Sequence, residues 1–204
     1  MKKIGLLLGC LAALALVAGL GLMYGITTYN RLIGLDEAVK SQWAQVENVY
    51  QRRFDLIPNL VKTVQGAAEF EKETLQNVIE ARSRVGQVGA GPSVTSDPSA
   101  FSQFQSAQES LGSALSRLLV VVERYPELKA NQNFLELQSQ LEGTENRISV
   151  ERRRYNEVAQ EFNAAARRFP TNLIASMFGF DLKQYFEATA GAEQAPEVEF
   201  DFNN

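Results

Sequence analysis

The residues of this chain that could do chemistry are mainly carboxylates in two stretches. They are Glu69, Glu71, Glu73 and Glu80 in the first, and Glu136, Glu142, Glu145, Glu151, Glu157 and Glu161 in the second. Paired carboxylates can transfer protons or bind a hard cation. The same stretches are rich in Arg and Lys, which is typical of solvated helix faces with ion pairs between residues four apart. We therefore favour a structural role for these carboxylates.

Glu151 differs from the others because it falls on the apolar face of a predicted helix. A buried carboxylate needs a partner, and Arg52, Arg53 or Arg82 from the earlier helices could supply the opposite charge. We expect a polar cluster that sets the register of packed helices in preference to a catalytic carboxylate.

The chain has no histidine, and its only cysteine is Cys10. The absence of histidine excludes His-based metal sites and both Ser-His and Cys-His nucleophile pairs. A net charge of −4 gives no indication of nucleic-acid binding. We expect no enzymatic activity, no catalytic, cofactor-binding or metal-ligating residues, and no nucleic-acid partner.

The N-terminus is predicted to cross a membrane as a single transmembrane helix. Lys2 and Lys3 precede an uncharged stretch from Ile4 to Ile26, which as a helix would measure roughly 35 Å. Because the basic residues come first, the positive-inside rule puts the N-terminus in the cytoplasm and residues 30–204 outside. We expect a single-pass inner-membrane protein that contacts lipid through residues 4–26, with its soluble part periplasmic or extracellular.

Two other interpretations of the N-terminus involve processing. A signal peptidase could cleave at Ala13-Leu14-Ala15, or the Leu7-Leu8-Gly9-Cys10 sequence could direct lipidation of Cys10. The apolar run continues about ten residues past the cleavage site, and only about six apolar residues precede Cys10, fewer than a signal peptide usually has. We favour the uncleaved anchor and keep Cys10 as a candidate lipidation site.

The soluble part is predicted to be all-α, because its apolar residues recur at steps of three and four. The first such series is Leu32, Leu35, Val39, Trp43, Val46, Tyr50, Phe54 and Ile57. Pro58 predicts either one bent helix or two helices that meet near residues 55–58. Residues 85–99, rich in Gly and Pro, predict the main loop. Pro98, after Asp97, begins the next helix, which ends at Tyr125-Pro126.

The last long helix has a heptad-like apolar seam from Phe134 to Phe169, and Pro170 stops it. A shorter segment follows over Asn172 to Phe180, and Asp181 is predicted to cap a helix over Leu182–Ala188. Three or four long helices with short turns predict an antiparallel bundle.

Several blocks of sequence are distinctive beyond their periodicity. They are Arg52-Arg53-Phe54-Asp55-Leu56-Ile57-Pro58-Asn59-Leu60-Val61, Glu80-Ala81-Arg82, Tyr125-Pro126-Glu127-Leu128-Lys129-Ala130-Asn131, Thr144-Glu145-Asn146-Arg147-Ile148, Arg154-Tyr155-Asn156, Phe169-Pro170 and Phe178-Gly179-Phe180. In order and spacing they resemble the LemA family of bacterial envelope proteins, over nearly the whole soluble region. The resemblance implies an N-terminal anchor and no established enzymatic activity. It also implies that the antiparallel bundle lies outside the cytoplasm and is an up-and-down four-helix bundle, whose long, membrane-proximal first helix is the one that Pro58 is predicted to kink.

The resemblance nominates structural signature positions. These are Arg52, Arg53, Asp55, Pro58, Asn59, Arg82, Tyr125, Glu145, Asn146, Arg147, Tyr155 and Asn156. We hypothesise that the polar members form a network between helices that fixes the register of the bundle. Tyr125, Tyr155 and Pro58 would shape the turns and the kink.

The expected organisation is a membrane anchor over residues 1–29, a LemA-like helical bundle over residues 30–188 and an acidic, flexible tail over residues 189–204. The expected function is a non-enzymatic envelope scaffold or adaptor that binds a protein partner or itself. The alternative is a ligand-binding or sensory accessory subunit of a membrane stress or proteolysis system.

Overall fold

A computed structural model of the chain describes residues 2–66 and 70–187, including their side chains except those of residues 2–8 and 10. The helices in these ranges are α1 (Lys2–Gln65), α2 (Lys72–Gln87), α3 (Pro98–Val122), α4 (Pro126–Lys129), α5 (Gln132–Arg167) and α6 (Thr171–Phe178), with a 3₁₀ turn at Pro92–Ser96. No strand occurs in the described ranges, so the predicted all-α class is confirmed. The predicted tail over residues 189–204 lies outside the described residues, as does the Cys10 side chain.

Helix α1 contains 64 residues and so measures about 95 Å. Its N-terminal part is long and apolar enough to cross a membrane, and almost none of that apolar stretch is buried within the protein. Large side chains from Leu11 to Ile26 are exposed along it. This stretch therefore does not form part of the core of the bundle.

Pro58 lies inside α1 without interrupting it. Of the two predicted alternatives, one helix or two helices that meet near residues 55–58, the structure therefore has one helix. Proline has no backbone N–H, which leaves the carbonyl four residues earlier, that of Phe54, without its helical donor. The Arg82 side chain of α2 approaches the same carbonyl: its Nε donates to the Phe54 oxygen at 3.3 Å. The Arg82 guanidinium also lies 3.9 Å from the centre of the Phe54 ring. Arg82 thereby partners the carbonyl that Pro58 exposes.

Helix α5 packs along α1, and α2 packs along α3. Their apolar faces form two cores. The Trp43 core contains Trp43, Phe101, Phe104, Tyr155 and Phe162. The Phe134 core contains Ile57, Leu60, Leu111, Leu118 and Phe134.

Side-chain caps fix where the two long later helices begin. The Asp97 carboxylate accepts hydrogen bonds from the backbone N–H groups of Ser99 and Ala100, and Pro98 is the first residue of α3, as predicted. The Asn131 side chain caps α5 in the same way. Helix α5 then ends at Arg167, so Phe169 lies beyond it and is 81% exposed. The prediction that the buried seam reaches Phe169 is wrong.

The helix predicted over Leu182–Ala188 is also wrong, because residues 181–187 are not helical. Gly179 ends α6 in the left-handed conformation, with φ at 71°, which glycine adopts at little cost. The chain then continues across the bundle, and the backbone groups of residues 183–187 bond to other elements in place of each other. Tertiary hydrogen bonds outweigh the local preference for helix here.

The Pro58 and Arg82 contact predicts non-additive stabilities. Arg82→Ala leaves the Phe54 carbonyl without its donor, and we expect it to lower the free energy of unfolding by about 1–2 kcal/mol. In a Pro58→Ala background the new N–H at position 58 can donate to that carbonyl, so Arg82→Ala should cost about 1 kcal/mol less. Urea unfolding of the full chain in detergent, followed by Trp43 fluorescence, measures both. Arg84→Ala, exposed on the same helix, is the control; additive costs would contradict the coupling.

Candidate functional site

A layer of polar residues separates the two cores. Arg53 of α1 lies between Tyr50 and Ile57, which belong to different cores. Gln108 of α3 lies between the cores in the same way, and so does Glu145 of α5. Each of these three helices therefore changes core at the same level, and a polar side chain marks the change.

Hydrogen bonds within this layer centre on the Arg53 guanidinium, which is 3% exposed. Its Nη1 donates to Glu145 Oε2 at 2.9 Å, and its Nη2 donates to the backbone oxygen and Oε1 of Gln108 at 3.0 and 2.6 Å. The Glu145 side chain is 57% exposed, so it balances the buried charge from the surface. Among the described atoms, Arg53 Nε is buried without a hydrogen-bond partner. A slip of one helix past another would put the guanidinium against apolar residues, so we hypothesise that the layer fixes the register of the packed helices.

A groove of about 620 Å³ opens beside this layer, between α1, α3 and α5. Arg53 and Gln108 line its inner side, and Glu109, Glu142 and Arg152 are among the residues at its rim. Its hydrogen-bonding groups could hold a small polar molecule.

Glu151, singled out from the sequence, has different partners from those predicted. Its carboxylate accepts from Gln42 Nε2 of α1 at 2.6 Å and from Arg154 Nη1 of its own helix at 2.8 Å. The prediction that Arg52, Arg53 or Arg82 pairs with Glu151 is wrong. Arg53 is engaged by Glu145, Arg82 by Phe54, and Arg52 is exposed.

The second site is the surface of the bundle that binds residues 181–187. We call this non-helical segment the strap. Two asparagines of α5 bind its backbone in the same manner. Asn163 Oδ1 accepts from the N–H of Lys183 at 2.8 Å, and Asn163 Nδ2 donates to the carbonyl of Lys183 at 2.9 Å. Asn156 makes the equivalent pair of bonds with Phe186, both at 2.9 Å. Each carboxamide thus takes the place of a neighbouring strand.

The spacing of these pairs follows from backbone geometry. Asn156 and Asn163 are seven residues apart, two turns of helix, which gives a rise of roughly 10.5 Å on one face. Lys183 and Phe186 are three residues apart, which is roughly 9 Å in an extended chain with three residues per turn, a repeat that puts the backbone groups of both residues on one side. The two lengths are similar, so an extended segment can run along α5 and bond to both asparagines at once. We call these two asparagines, Asn156 and Asn163, the clamps.

Two side chains of the strap, those of Lys183 and Phe186, are buried. Lys183 Nζ lies 2.7 Å from Asp36 Oδ1 of α1. Burial alone would raise the pKa of Asp36, but hydrogen bonds from Lys183 and Lys40 lower it below its usual range. Because the folded-state pKa is the lower one, these contacts stabilise the fold at neutral pH and are lost as the pH falls through that lowered value.

Phe186 of the strap completes the Trp43 core. Its ring stacks on Trp43 with centroids 5.9 Å apart and contacts Phe101 at 4.9 Å. The Tyr155 hydroxyl donates to the carbonyl of Gln184 at 3.0 Å, and burial raises the pKa of this phenol, so it stays protonated. The bundle therefore binds the strap in three ways: through its backbone, through the ring of Phe186 and through the ammonium group of Lys183.

Comparison with known proteins identifies the relatives of this chain. The LemA family model matches residues 42–200, which is most of the sequence. The chain belongs to the LemA family. It is 26% identical to magnetosome protein MamQ 1 of Paramagnetospirillum magneticum, over 88% of this chain and 73% of the relative. It is 27% identical to magnetosome protein MamQ of Magnetospirillum gryphiswaldense, over 86% and 72%, and 24% identical to protein LemA of Metamycoplasma hominis, over 78% and 69%.

Six of the twelve signature positions nominated from the LemA resemblance lie at three places in the structure. Arg53 and Glu145 meet in the polar layer, Pro58 and Arg82 meet at the Phe54 carbonyl, and Tyr155 and Asn156 bind the strap. The Tyr125 ring packs against Phe70, with centroids 5.0 Å apart. The exposed positions are Arg52, Asp55, Asn59, Asn146 and Arg147. Asp55 accepts from Gln51 of its own helix.

Four residues with important contacts were missed by the sequence reasoning. They are Asp36, Gln108, Asn163 and Lys183. The seven-residue spacing of Asn156 and Asn163 on one face of α5 could have indicated a clamp. Gln108 falls on the apolar face of α3 between Phe104 and Leu111, a position where a polar residue needs a partner.

Removing the charge that faces Arg53 should destabilise this LemA-family bundle. We expect Glu145→Gln to lower the free energy of unfolding by about 1–3 kcal/mol, because a buried guanidinium loses its counter-charge. Glu142→Gln, in the same groove and exposed, should change it by less than about 0.5 kcal/mol. Urea unfolding of the full chain measures both. Equal, small effects would show that the layer does not need the Glu145 charge.

Loss of a clamp should release the strap. In Asn163→Ala the N–H and C=O of Lys183 lose their partners, at a cost of about 1–3 kcal/mol each if they stay buried. We expect faster hydrogen exchange over residues 180–187 and a red shift in emission from Trp43, the only tryptophan. Asn146→Ala, on an exposed part of α5, is the control and should change neither. Unchanged exchange in Asn163→Ala would show that the clamp is dispensable.

Proposed function

We propose that this LemA-family chain is a membrane-anchored, non-enzymatic scaffold or adaptor of the cell envelope. Residues 4–26 cross the inner membrane, with the N-terminus in the cytoplasm and the helical bundle in the periplasm or outside the cell. Support for this orientation comes from Lys2 and Lys3, which precede the apolar stretch.

The observation that carries the proposal is the continuity of α1. One helix contains both the exposed apolar stretch up to Ile26 and the core residues Val39, Trp43 and Ile57. A helix without a break keeps the bundle rigidly in line with the proposed span. That is useful to a protein that positions partners, and it is less useful to a released or freely tethered enzyme.

We further infer an antiparallel, up-and-down four-helix bundle. The support is the order of the contacts of α1 with α5 and α6. Tyr24 contacts Thr171, Gln42 contacts Glu151 and Arg53 contacts Glu145, so rising numbers in α1 pair with falling numbers in the later chain.

The non-enzymatic role is supported by the chemistry of the built sites. The chain has no histidine. The polar groups of the layer around Arg53 bond to one another, and those of the strap bond to α5. The groove beside Arg53 favours a second candidate, a ligand-binding accessory subunit that a partner in the membrane would read out.

Two measurements on the full chain in cells test the proposal. Resistance to alkaline extraction tests the anchor. A photo-crosslinking amino acid at Arg147, exposed on α5, then identifies what the bundle contacts. The matched control replaces residues 4–26 by an unrelated apolar span of equal length and leaves the bundle intact.

An adaptor gives a reproducible crosslink to a membrane protein that survives the span exchange. A co-expressed chain without the photo-crosslinker competes this crosslink away, and a chain that lacks residues 30–188 does not. A self-assembling scaffold gives a ladder of crosslinked copies under the same conditions. Monomer alone would contradict both roles and favour the ligand-binding candidate, and extraction by alkali would contradict the anchor.

A further inference from the structure

Helix α6 carries an apolar surface that no described element covers. Leu173 is 58% exposed and Met177 is 77% exposed, and these two residues lie one turn apart on the same side of the helix. Phe169, just before α6, is 81% exposed. The opposite side of the helix is anchored, because Ala175 is buried in the Trp43 core.

The position of α6 along α1 is fixed by contacts at both of its ends. The Tyr24 hydroxyl lies 3.5 Å from Thr171 Oγ1, and the Tyr29 ring lies 4.7 Å from the ring of Phe178, centroid to centroid. Tyr24 is inside the apolar stretch that ends at Ile26, and Tyr29 follows it. Helix α6 therefore lies beside the point where α1 leaves the proposed span.

The height of α6 can be compared with the dimensions of a bilayer. Tyr29 is three residues past Ile26, which corresponds to roughly 4.5 Å along α1. The headgroup layer on each side of a bilayer is about 5–7 Å thick beyond the hydrocarbon. Both ends of α6 thus fall within the last turn of the hydrocarbon span or within the headgroup layer.

Cationic side chains lie at the same level. Arg31 and Arg168 line a groove of about 440 Å³ together with Leu20 and Met23 of the span. Helices that lie in a membrane interface have the same combination, with apolar side chains in the lipid and neighbouring guanidinium groups at the lipid phosphates.

We propose that α6 is a second membrane-binding element, in which Phe169, Leu173 and Met177 enter the interface of the bilayer that α1 crosses while Arg31 and Arg168 meet its phosphates. The proposal rests on the anchor of the proposed function. A second copy of the chain fits this surface less well, because one face of an eight-residue helix is far smaller than the roughly 800 Å² per partner of a stable interface. The surface instead lies beside exposed apolar side chains of the span, because Leu20 and Met23 line the same groove as Arg168 and Thr171.

Depth-dependent fluorescence quenching tests the proposal. Cys10 is the only cysteine, so a Cys10→Ser chain accepts single labels. An environment-sensitive fluorophore is placed at Leu173→Cys, and in a matched chain at Asn172→Cys, which is also exposed and lies about 100° away around the helix. Both full chains are reconstituted in vesicles of phosphatidylethanolamine and phosphatidylglycerol, with and without a lipid that carries a doxyl quencher high on its acyl chain. Trp43 emission before labelling shows whether the bundle is folded.

We expect the doxyl lipid to quench the Leu173 label by roughly twofold or more relative to the Asn172 label, since an interfacial helix buries only its apolar face. No quenching at either label in chains that resist alkaline extraction would overturn the α6 proposal and leave the anchor intact. Equal quenching at both labels would overturn the assigned face. A blue-shifted but unquenched Leu173 label would indicate coverage by another protein copy and would also overturn it. Chains extracted by alkali would contradict the anchor itself.

Discussion

Backbone hydrogen bonding along α1 is the constraint on which the remaining structure depends. Apolar surroundings offer no partner to an open N–H or C=O, so a segment such as Leu11–Ile26 is stable there only as an unbroken helix. The same helix then supplies core side chains from Leu32 to Val64. Its one proline, Pro58, lies beyond the apolar stretch, where a side chain of α2 reaches the exposed carbonyl. The later helices pack against α1, and the direction of α1 continues that of its apolar N-terminal stretch.

The interior of the bundle gives each buried polar side chain a definite partner. Thr144 is buried on the seam of α5 but donates to the carbonyl of Gln140 in its own helix, so it needs nothing from its neighbours. Arg53 needs two other helices, and Asn163 needs the strap. These requirements make most alternative packings costly, because each would leave a charge or an amide without a partner. Apolar seams of leucine and valine could not discriminate so well.

Sequence periodicity predicted much of the fold for definite physical reasons. The seam of α5 is regular over most of its length because one face packs on α1, and Asp97 followed by proline marks a helix start by local chemistry alone. The strap could not be predicted in this way. Asp181 followed by Leu182 resembles a capped helix locally, and only the distant carboxamides of Asn156 and Asn163 make the extended form the better one. Glu151 was recognised as unusual, but its partner depended on which turn of α1 it faces.

The residues of the candidate site that the sequence indicated were the charged ones. Arg53 and Glu145 are charged and lie in distinctive blocks, so both could be nominated for a polar network, but the sequence suggested Glu151 as a partner of Arg53. Gln108 and Asn163 are neutral and were overlooked, although their amides complete the same kind of interaction. Neutral polar residues on apolar faces carry as much information about packing as charged ones do.

The continuity of α1 also gives the molecule the mechanics of a lever. From Ile26 to Gln65 the helix extends roughly 60 Å past the proposed span, so a change of about 10° in its tilt moves the far end by roughly 10 Å. Helix tilt responds to the thickness of the bilayer. With the proposed span in place, a small change in lipid composition would be amplified into a displacement about as wide as a helix, at the end of the protein farthest from the membrane.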